Sequence, residues 1–323
     1  MGAGAQALAA LVSDELSGTV PEAVATMAEE IRHRCGEAPV VAVVFYGSCL
    51  RKHTVDGVLD FYVLVDAYRP ASASLGLAWA NALLPPNVYY LELEASGRRL
   101  RAKYAVISVS DFEHGVGMKS LRTHLWARFC QPALAVYLRD GKALEVLVGA
   151  SARSVLTLLE RILPLLPASR GGERLDFDEF WQRAFRETYA AEMRGEPAQY
   201  TRALYEAAPE RYDRAARHGI EELAQQGRLH ARPAEPGVEV SFDPCRRRRG
   251  RLAWPLRRRL SKLIGFAGQV KTTFTFGDWL PYVVWKLERH GGEPIVLTER
   301  QHRHPLIWGW PVLWRLLRER KLR

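Results

Sequence analysis

Residues 41–66 read VAVVFYGSCLRKHTVDGVLDFYVLVD. Two apolar runs, 40–46 and 59–65, are continuous rather than alternating and are rich in β-branched and aromatic residues. Runs of that length and kind are strands buried on both faces, which demands a sheet covered by other elements. The first run ends in Gly47-Ser48, and Asp60 stands at the head of the second.

Those three residues are the outline of a nucleotidyl-transfer site: strand, Gly-Ser turn, short helix, then a strand carrying an acid. Gly47 lets the backbone approach a phosphate, and amides at the following helix start favour negative charge. Arg51 and Lys52 follow within one turn and can neutralise phosphate charge. An acid entering an apolar strand needs a partner or a metal, so Asp60 is the first candidate for a catalytic Mg2+ ligand. An ordinary strand–turn–strand pair accounts for the same residues equally well.

A second metal carboxylate is harder to find. Val58 stands where an Asp-x-Asp pair would have its first acid. Asp66 shares the parity of Asp60, but six residues of strand span about 20 Å, so it joins the site only if the chain bends back. Asp56, Glu92 and Glu94 are further acids within reach in sequence, the last two reading as an exposed sheet face. Lys103 heads the apolar strand KYAVIS, as an edge residue or a phosphate ligand. Arg128 ends a helix before Pro132, where it suits the helix terminus or reaches into the site.

The expected fold class is α/β (α+β), a mixed sheet with helices. Residues 5–34 read as helix interrupted by Pro21, 87–95 and 101–110 as a hairpin about Ser96-Gly97, 118–128 as helix and 133–138 as strand. From 150 the composition turns to Leu, Ala, Glu and Arg at helical spacing, with helices expected at 151–166, 176–194, 197–206 and 210–226. The expected domains are 1–145, a helical domain 146–230, a Pro-rich linker 231–245 and a basic, Trp-rich region 246–323.

Charge and cysteine usage bound the partners. The formal charge is +10, concentrated in RRRRGRLAWPLRRRLSK (246–262) and the terminal WRLLRERKLR. Such a bias implies a polyanion, an anionic membrane surface or nucleic acid. Trp254, Trp279, Trp285, Trp308, Trp310 and Trp314 lie in the same region, and Trp interleaved with Arg and Lys favours the membrane interface over nucleic acid. A helical subdomain with those Trp residues as its own core is the alternative. Four scattered cysteines indicate neither a disulfide scaffold nor a zinc site. MGAGAQALAALVSDEL has no basic leader, and no apolar run approaches the roughly 20 residues of a transmembrane helix. The expectation is a bacterial cytoplasmic protein, peripheral on the inner face of the membrane, rather than one of the mitochondrial matrix.

With these pieces in order, the chain resembles the mitochondrial-type phosphatidate cytidylyltransferases, also called translocator assembly and maintenance proteins. FYGSCLRK is similar to the family's Tyr-Gly-Ser box, and LDFYVLVD to its Leu-Asp-Phe strand. NVYYLELEASGRRLRAKYAVISVSDF and LWARFCQPALAVY are similar to its next two blocks. ETYAAEMR (187–194) and VKTTFTFG (270–277) are thinner matches. The resemblance is dense over 44–138. It implies a nucleotidyltransferase fold and transfer of CMP from CTP to phosphatidic acid with Mg2+. It also implies roles for individual residues. Tyr46, Gly47, Ser48 and Arg51 would contact the nucleotide. Asp60, Lys103 and Arg128 would be catalytic, with Asp60, Asp66 and Glu192 as metal candidates. Tyr189, Arg194, Lys271, Arg257 and Arg258 would meet the lipid or its phosphate. The family also lacks the first acid of Asp-x-Asp, so Val58 agrees with it. The chain departs from the family at Ala67, where a second Asp is usual, and in the stretch after that strand. Two other functions fit the same residues: a nucleotidyltransferase with a small-molecule or RNA acceptor, and a non-catalytic adaptor.

Overall fold

A computed structural model describes residues 2–69, 71, 75–95, 97–166, 173–192, 198–234 and 237–275. The chain opens with α1 (Ala3–Leu16) and α2 (Glu22–Arg34), parted at Pro21, whose extended conformation caps α2. Then come β1 (Val40–Tyr46), the single turn α3 (Ser48–Arg51), β2 (Val58–Val65), α4 (Leu75–Leu83), β3 (Asn87–Ala95) and β4 (Arg98–Ser108). The segments α5 (Val109–Val116), α6 (His124–Phe129) and β5 (Ala133–Leu138) complete a five-stranded mixed sheet of order β3-β4-β2-β1-β5. In it β1 is antiparallel to β2 and β5, β2 is parallel to β4, and β3 is antiparallel to β4.

The two apolar runs become adjacent central strands, as their lack of alternation requires. Their side chains divide by parity. Phe45, Phe61, Val63 and Val65 pack with Val24, Met27 and Ile31 of α2 in one cluster. Val44, Tyr62, Leu64, Ala105 and Ile107 face the other way, into a larger cluster shared with most of the helices.

Those helices are α7 (Gly141–Ile162), α8 (Phe177–Ala191), α9 (Ala198–Glu206) and α10 (Pro209–Gln225), followed by α11 (Pro244–Thr275). Asp140 caps α7, its carboxylate accepting from the Ala143 amide, so this helix begins nearly three turns before the composition shift that suggested residue 151. The stretch expected as a helix over 118–128 is instead a loop to Thr123 followed by α6, α5 having ended at Val116. The helical region does not build a core of its own: Leu147, Leu158, Trp181, Phe185 and Tyr212 belong to the same cluster as the sheet residues. Residues read as a linker form strands. β7 (His230–Pro233) and β8 (Val238–Ser241) pair with β6 (Glu173–Leu175) in a three-stranded sheet of order β6-β8-β7. VEVS is too short for its alternation to stand out among Pro and Gly. No helix among the described residues is long and apolar enough to cross a membrane. Trp254 is buried; the other five C-terminal tryptophans lie outside the described residues.

α1 and α10 meet backbone to backbone at Gly4, where a Cβ would lie 2.6 Å from the His218 carbonyl oxygen. An ion pair closes the same contact: Arg211 donates to both Glu15 oxygens at 2.5 and 3.0 Å and to the Cys130 carbonyl oxygen at 2.5 Å. The two side chains are only 10% and 17% exposed. Breaking one partner of a buried pair strands the other charge. Arg211→Met is therefore expected to lower stability by about 3–5 kcal/mol in urea unfolding.

Candidate active site

The register of the sheet lines up a row of side chains. Tyr46 of β1 lies opposite Asp60 of β2, Asp60 beside Lys103 of β4, and Lys103 opposite Tyr90 of β3. The row sits on the sheet face that looks toward the helices, and there a cavity of about 370 Å³ opens between the layers. Tyr46, Gly47, Ser48 and Arg51 line one side of it, with Asp60, Tyr62 and Lys103 on its floor. Arg122, His124 and Arg128 line it from the loop before α6 and from α6 itself. Tyr189, Tyr200 and Gln131 complete a polar wall, and Gly265 and Gly268 of α11 a backbone one.

Gly47 is essential to this geometry. Its φ of 94° and ψ of −156° lie in a region open almost only to glycine. A Cβ there would also sit 2.8 Å from the Asp60 Oδ2. The glycine thus turns the chain into α3 and keeps the approach to the carboxylate clear. Arg51, at the end of α3, donates to the Tyr200 hydroxyl at 3.1 Å and to Gln131 Oε1 at 3.4 Å, which aims its guanidinium along the cavity wall. Lys52 is exposed and does not line the cavity.

Arg128 is mostly buried and donates to Glu192 at 3.0 Å and to the His124 carbonyl oxygen at 2.7 Å. Burial disfavours its charge, but Glu192 and neighbouring tyrosines outweigh that and hold the guanidinium above its ordinary value. Glu192 is 8% exposed, and its second oxygen is buried with no partner among the described residues. The expected Arg128 and Glu192 are thus brought together, with Glu192 engaged by a cation rather than placed on the cavity surface. Tyr189 stacks edge-on to Tyr200, ring centroids 5.7 Å apart. Burial raises its phenol above the ordinary value, so it is a neutral hydrogen-bonding group.

Other expected residues lie elsewhere. Asp66 follows the far end of β2, paired with Arg139 on the surface, and β2 pairs with β4 without interruption from Val58 to Val65, so Asp66 does not share a metal with Asp60. Glu92 pairs with Arg101, Glu94 with Arg99, and Asp56 caps a surface turn with Thr54; none lines the cavity. Lys271 donates to the carbonyl oxygens of Leu84 and Pro86 (2.9 Å to the latter), pinning α11 over the cavity rim. Burial, and then Arg122, bring its pKa down to about 8. Arg257 donates to the Ser120 carbonyl oxygen, and burial lowers its pKa to about 10, whereas Arg258 is exposed. Arg194 lies outside the described residues.

Arg122, His124, Gln131 and Tyr200 are cavity residues that the sequence did not reveal. Reading 118–128 as one helix hid the first two, since Arg122 lies in the loop before α6 and His124 opens that helix. Burial, then Arg122 and Arg128, hold His124 well below the ordinary imidazole value, so it is neutral. Its Nε2 has no partner among the described residues.

Asp60 is the sole carboxylate among the described residues that line the cavity, against Arg51, Lys103, Arg122 and Arg128. No group of three or more His, Cys, Asp or Glu suited to a metal occurs among the described residues. One carboxylate fits a Mg2+ ion that arrives with phosphates, because that ion keeps several waters and takes one or two carboxylates plus phosphate oxygens. The arrangement is chemically a site for a highly charged phosphate ligand.

No protein-family model and no curated protein matches the chain. Among solved structures it is similar to a nucleotidyltransferase-like protein from Exiguobacterium sibiricum 255-15, at 6% identity, over 68% of this chain and 99% of that one, with a TM-score of 0.28.

Gly47→Ala is expected to cost about 1–3 kcal/mol of stability from backbone strain. It should cost more in function, because the new methyl group displaces the Asp60 carboxylate. Thermal unfolding and nucleoside triphosphate binding, measured side by side, separate the two effects.

Proposed function

We propose that the protein is a phosphatidate cytidylyltransferase, transferring CMP from CTP to phosphatidic acid and releasing pyrophosphate. The observation that carries nucleotidyl transfer is the placement of Asp60 beside Lys103, against the Gly47-Ser48 turn, in a cavity also lined by Arg51, Arg122 and Arg128. The choice of CTP and of a lipid phosphate rests on the family resemblance, supported by a basic helix, α11, forming one wall of that cavity.

On this reading Gly47 and Ser48 hold the triphosphate, with Arg51 and Lys103 neutralising its charge. Mg2+, held by Asp60 and phosphate oxygens, would supply Lewis-acid activation of the α-phosphorus. A phosphate oxygen of the acceptor attacks the α-phosphorus in line. The bond from that phosphorus to the bridging oxygen breaks, and pyrophosphate leaves with the electron pair. The attacking phosphate is already an anion near neutral pH, so no general base is required. On the same reading Arg122 and Arg128 would hold an anionic acceptor against CTP, an electrostatic task suited to a site that excludes water.

The test is incubation with Mg2+, radiolabelled CTP and detergent-dispersed phosphatidic acid. Labelled CDP-diacylglycerol is expected, falling about 100-fold or more in Asp60→Asn with the fold retained. Triphosphate binding without labelled lipid would assign the site a different acceptor. Absence of any Mg2+-dependent triphosphate binding would leave the adaptor reading standing.

A further inference from the structure

α4 is turned inside out relative to an ordinary surface helix. Its inward face carries Ala78 and Asn81, both buried, the Asn81 side chain donating to the Val106 carbonyl oxygen at 3.0 Å. Its outward face carries Leu75, Trp79 and Leu83, spaced i, i+4, i+8, at 58%, 69% and 80% exposure. Water-exposed stripes of that size mark interaction surfaces.

α11 repeats the arrangement. Its inner side is tied down by Trp254, donating to Glu187 at 2.8 Å, by Arg257 on the Ser120 carbonyl oxygen, and by Ser261 against Thr123. Its outer side exposes Leu252, Leu256, Leu263 and Phe266 among the exposed Arg248, Arg249, Arg258 and Arg259.

The two stripes belong to elements that border the cavity. Leu83 directly precedes the cavity residue Leu84, and Leu263 and Phe266 lie on the helix whose Gly265 and Gly268 line it. Lys271 holds the two elements together through the carbonyl oxygens of Leu84 and Pro86. Leu121, the remaining exposed large hydrophobic among the described residues, directly precedes the cavity residue Arg122. The exposed large apolar side chains among the described residues therefore lie on the segments that border the cavity, with exposed arginines beside them on α11.

We propose that α4 and α11 form a docking rim that seats the cavity mouth on an anionic lipid bilayer. Trp79, Leu83, Leu263 and Phe266 enter the headgroup region, and the α11 arginines meet the anionic lipids. Leu and Trp on one side with Arg beside them suit a helix lying in the interface plane. The basic flank selects an anionic surface, and the apolar stripes distinguish a bilayer from nucleic acid, which offers phosphates but no acyl layer. The orientation, with the mouth facing the lipid, rests on the cytidylyltransferase reading. The docking surface itself is read from exposure and charge.

The test is co-sedimentation of the full chain with vesicles of phosphatidylglycerol and phosphatidylcholine, without CTP and without phosphatidic acid. Wild type is expected to sediment with them, less at high salt. The pair Trp79→Ser with Leu83→Ser, and separately the pair Leu263→Ser with Phe266→Ser, are each expected to weaken partitioning about tenfold with an unchanged unfolding transition. The apolar replacements Trp79→Phe with Leu83→Met should restore it, which excludes misfolding as the cause. Wild-type sedimentation by either Ser pair overturns the proposal, as it would if residues 276–323 carried membrane binding. Failure of wild type to sediment also overturns it, as would binding to single-stranded RNA alone. Because transfer of labelled CMP is measured on detergent-dispersed lipid, docking can fail while the chemistry stands, and the reverse.

Discussion

The register of β2 between β1 and β4 is the constraint on which the site depends. β2 is buried on both faces, so a slip of one residue would exchange the environments of Phe61 and Tyr62 and of Val63 and Leu64. Two different cores hold it in place, one against α2 and one against the helical layers. With that register set, Asp60 can only project toward the helices, between Tyr46 and Lys103. The carboxylate occupies the end of the strand where the core gives way to the cavity.

Four cations around one carboxylate would repel one another in a closed interior. The structure tolerates them by tying most to polar partners. Arg128 is balanced by Glu192, and Arg51 is directed by Tyr200 and Gln131. Arg122 donates to the Pro85 carbonyl oxygen, and burial still holds its pKa below the ordinary value. Carbonyl and phenol partners orient a guanidinium without cancelling its charge, so the cavity keeps a positive field for an anionic ligand. The neutral His124 adds a hydrogen-bonding group to that field without adding repulsion.

How much could be read from the chain varied with the range of the interaction responsible. The central strands, the Gly47 turn and Asp60 were legible because apolar run length and glycine chemistry are local. The hairpin of β3 and β4 was legible from alternation about a turn. The second sheet was not, since β7 and β8 are four residues each and are held as strands by pairing with distant β6. Arg122 and His124 escaped for a similar reason: whether 117–123 is helix or loop is settled by packing against α7 and α11, where Thr157 donates to the Val116 carbonyl oxygen and Ser261 meets Thr123. Asp66 shows the opposite error. Its parity matched Asp60, but Arg139, just past the end of β5, claims it.

By itself the sequence determined that two strands are buried on both faces, that Gly47 can adopt a backbone no other residue tolerates, and that an acid enters the second strand. It also determined a strongly basic segment, whose character survives in any fold. Only the tertiary structure decided which distant groups join Asp60, because Arg51, Lys103, Arg122 and Arg128 come from separate elements brought together by sheet register and helix packing. It alone decided that Leu75, Trp79 and Leu83 face outward: a helix's apolar stripe points wherever its neighbours leave it, and here the inward positions are filled by Ala78 and Asn81.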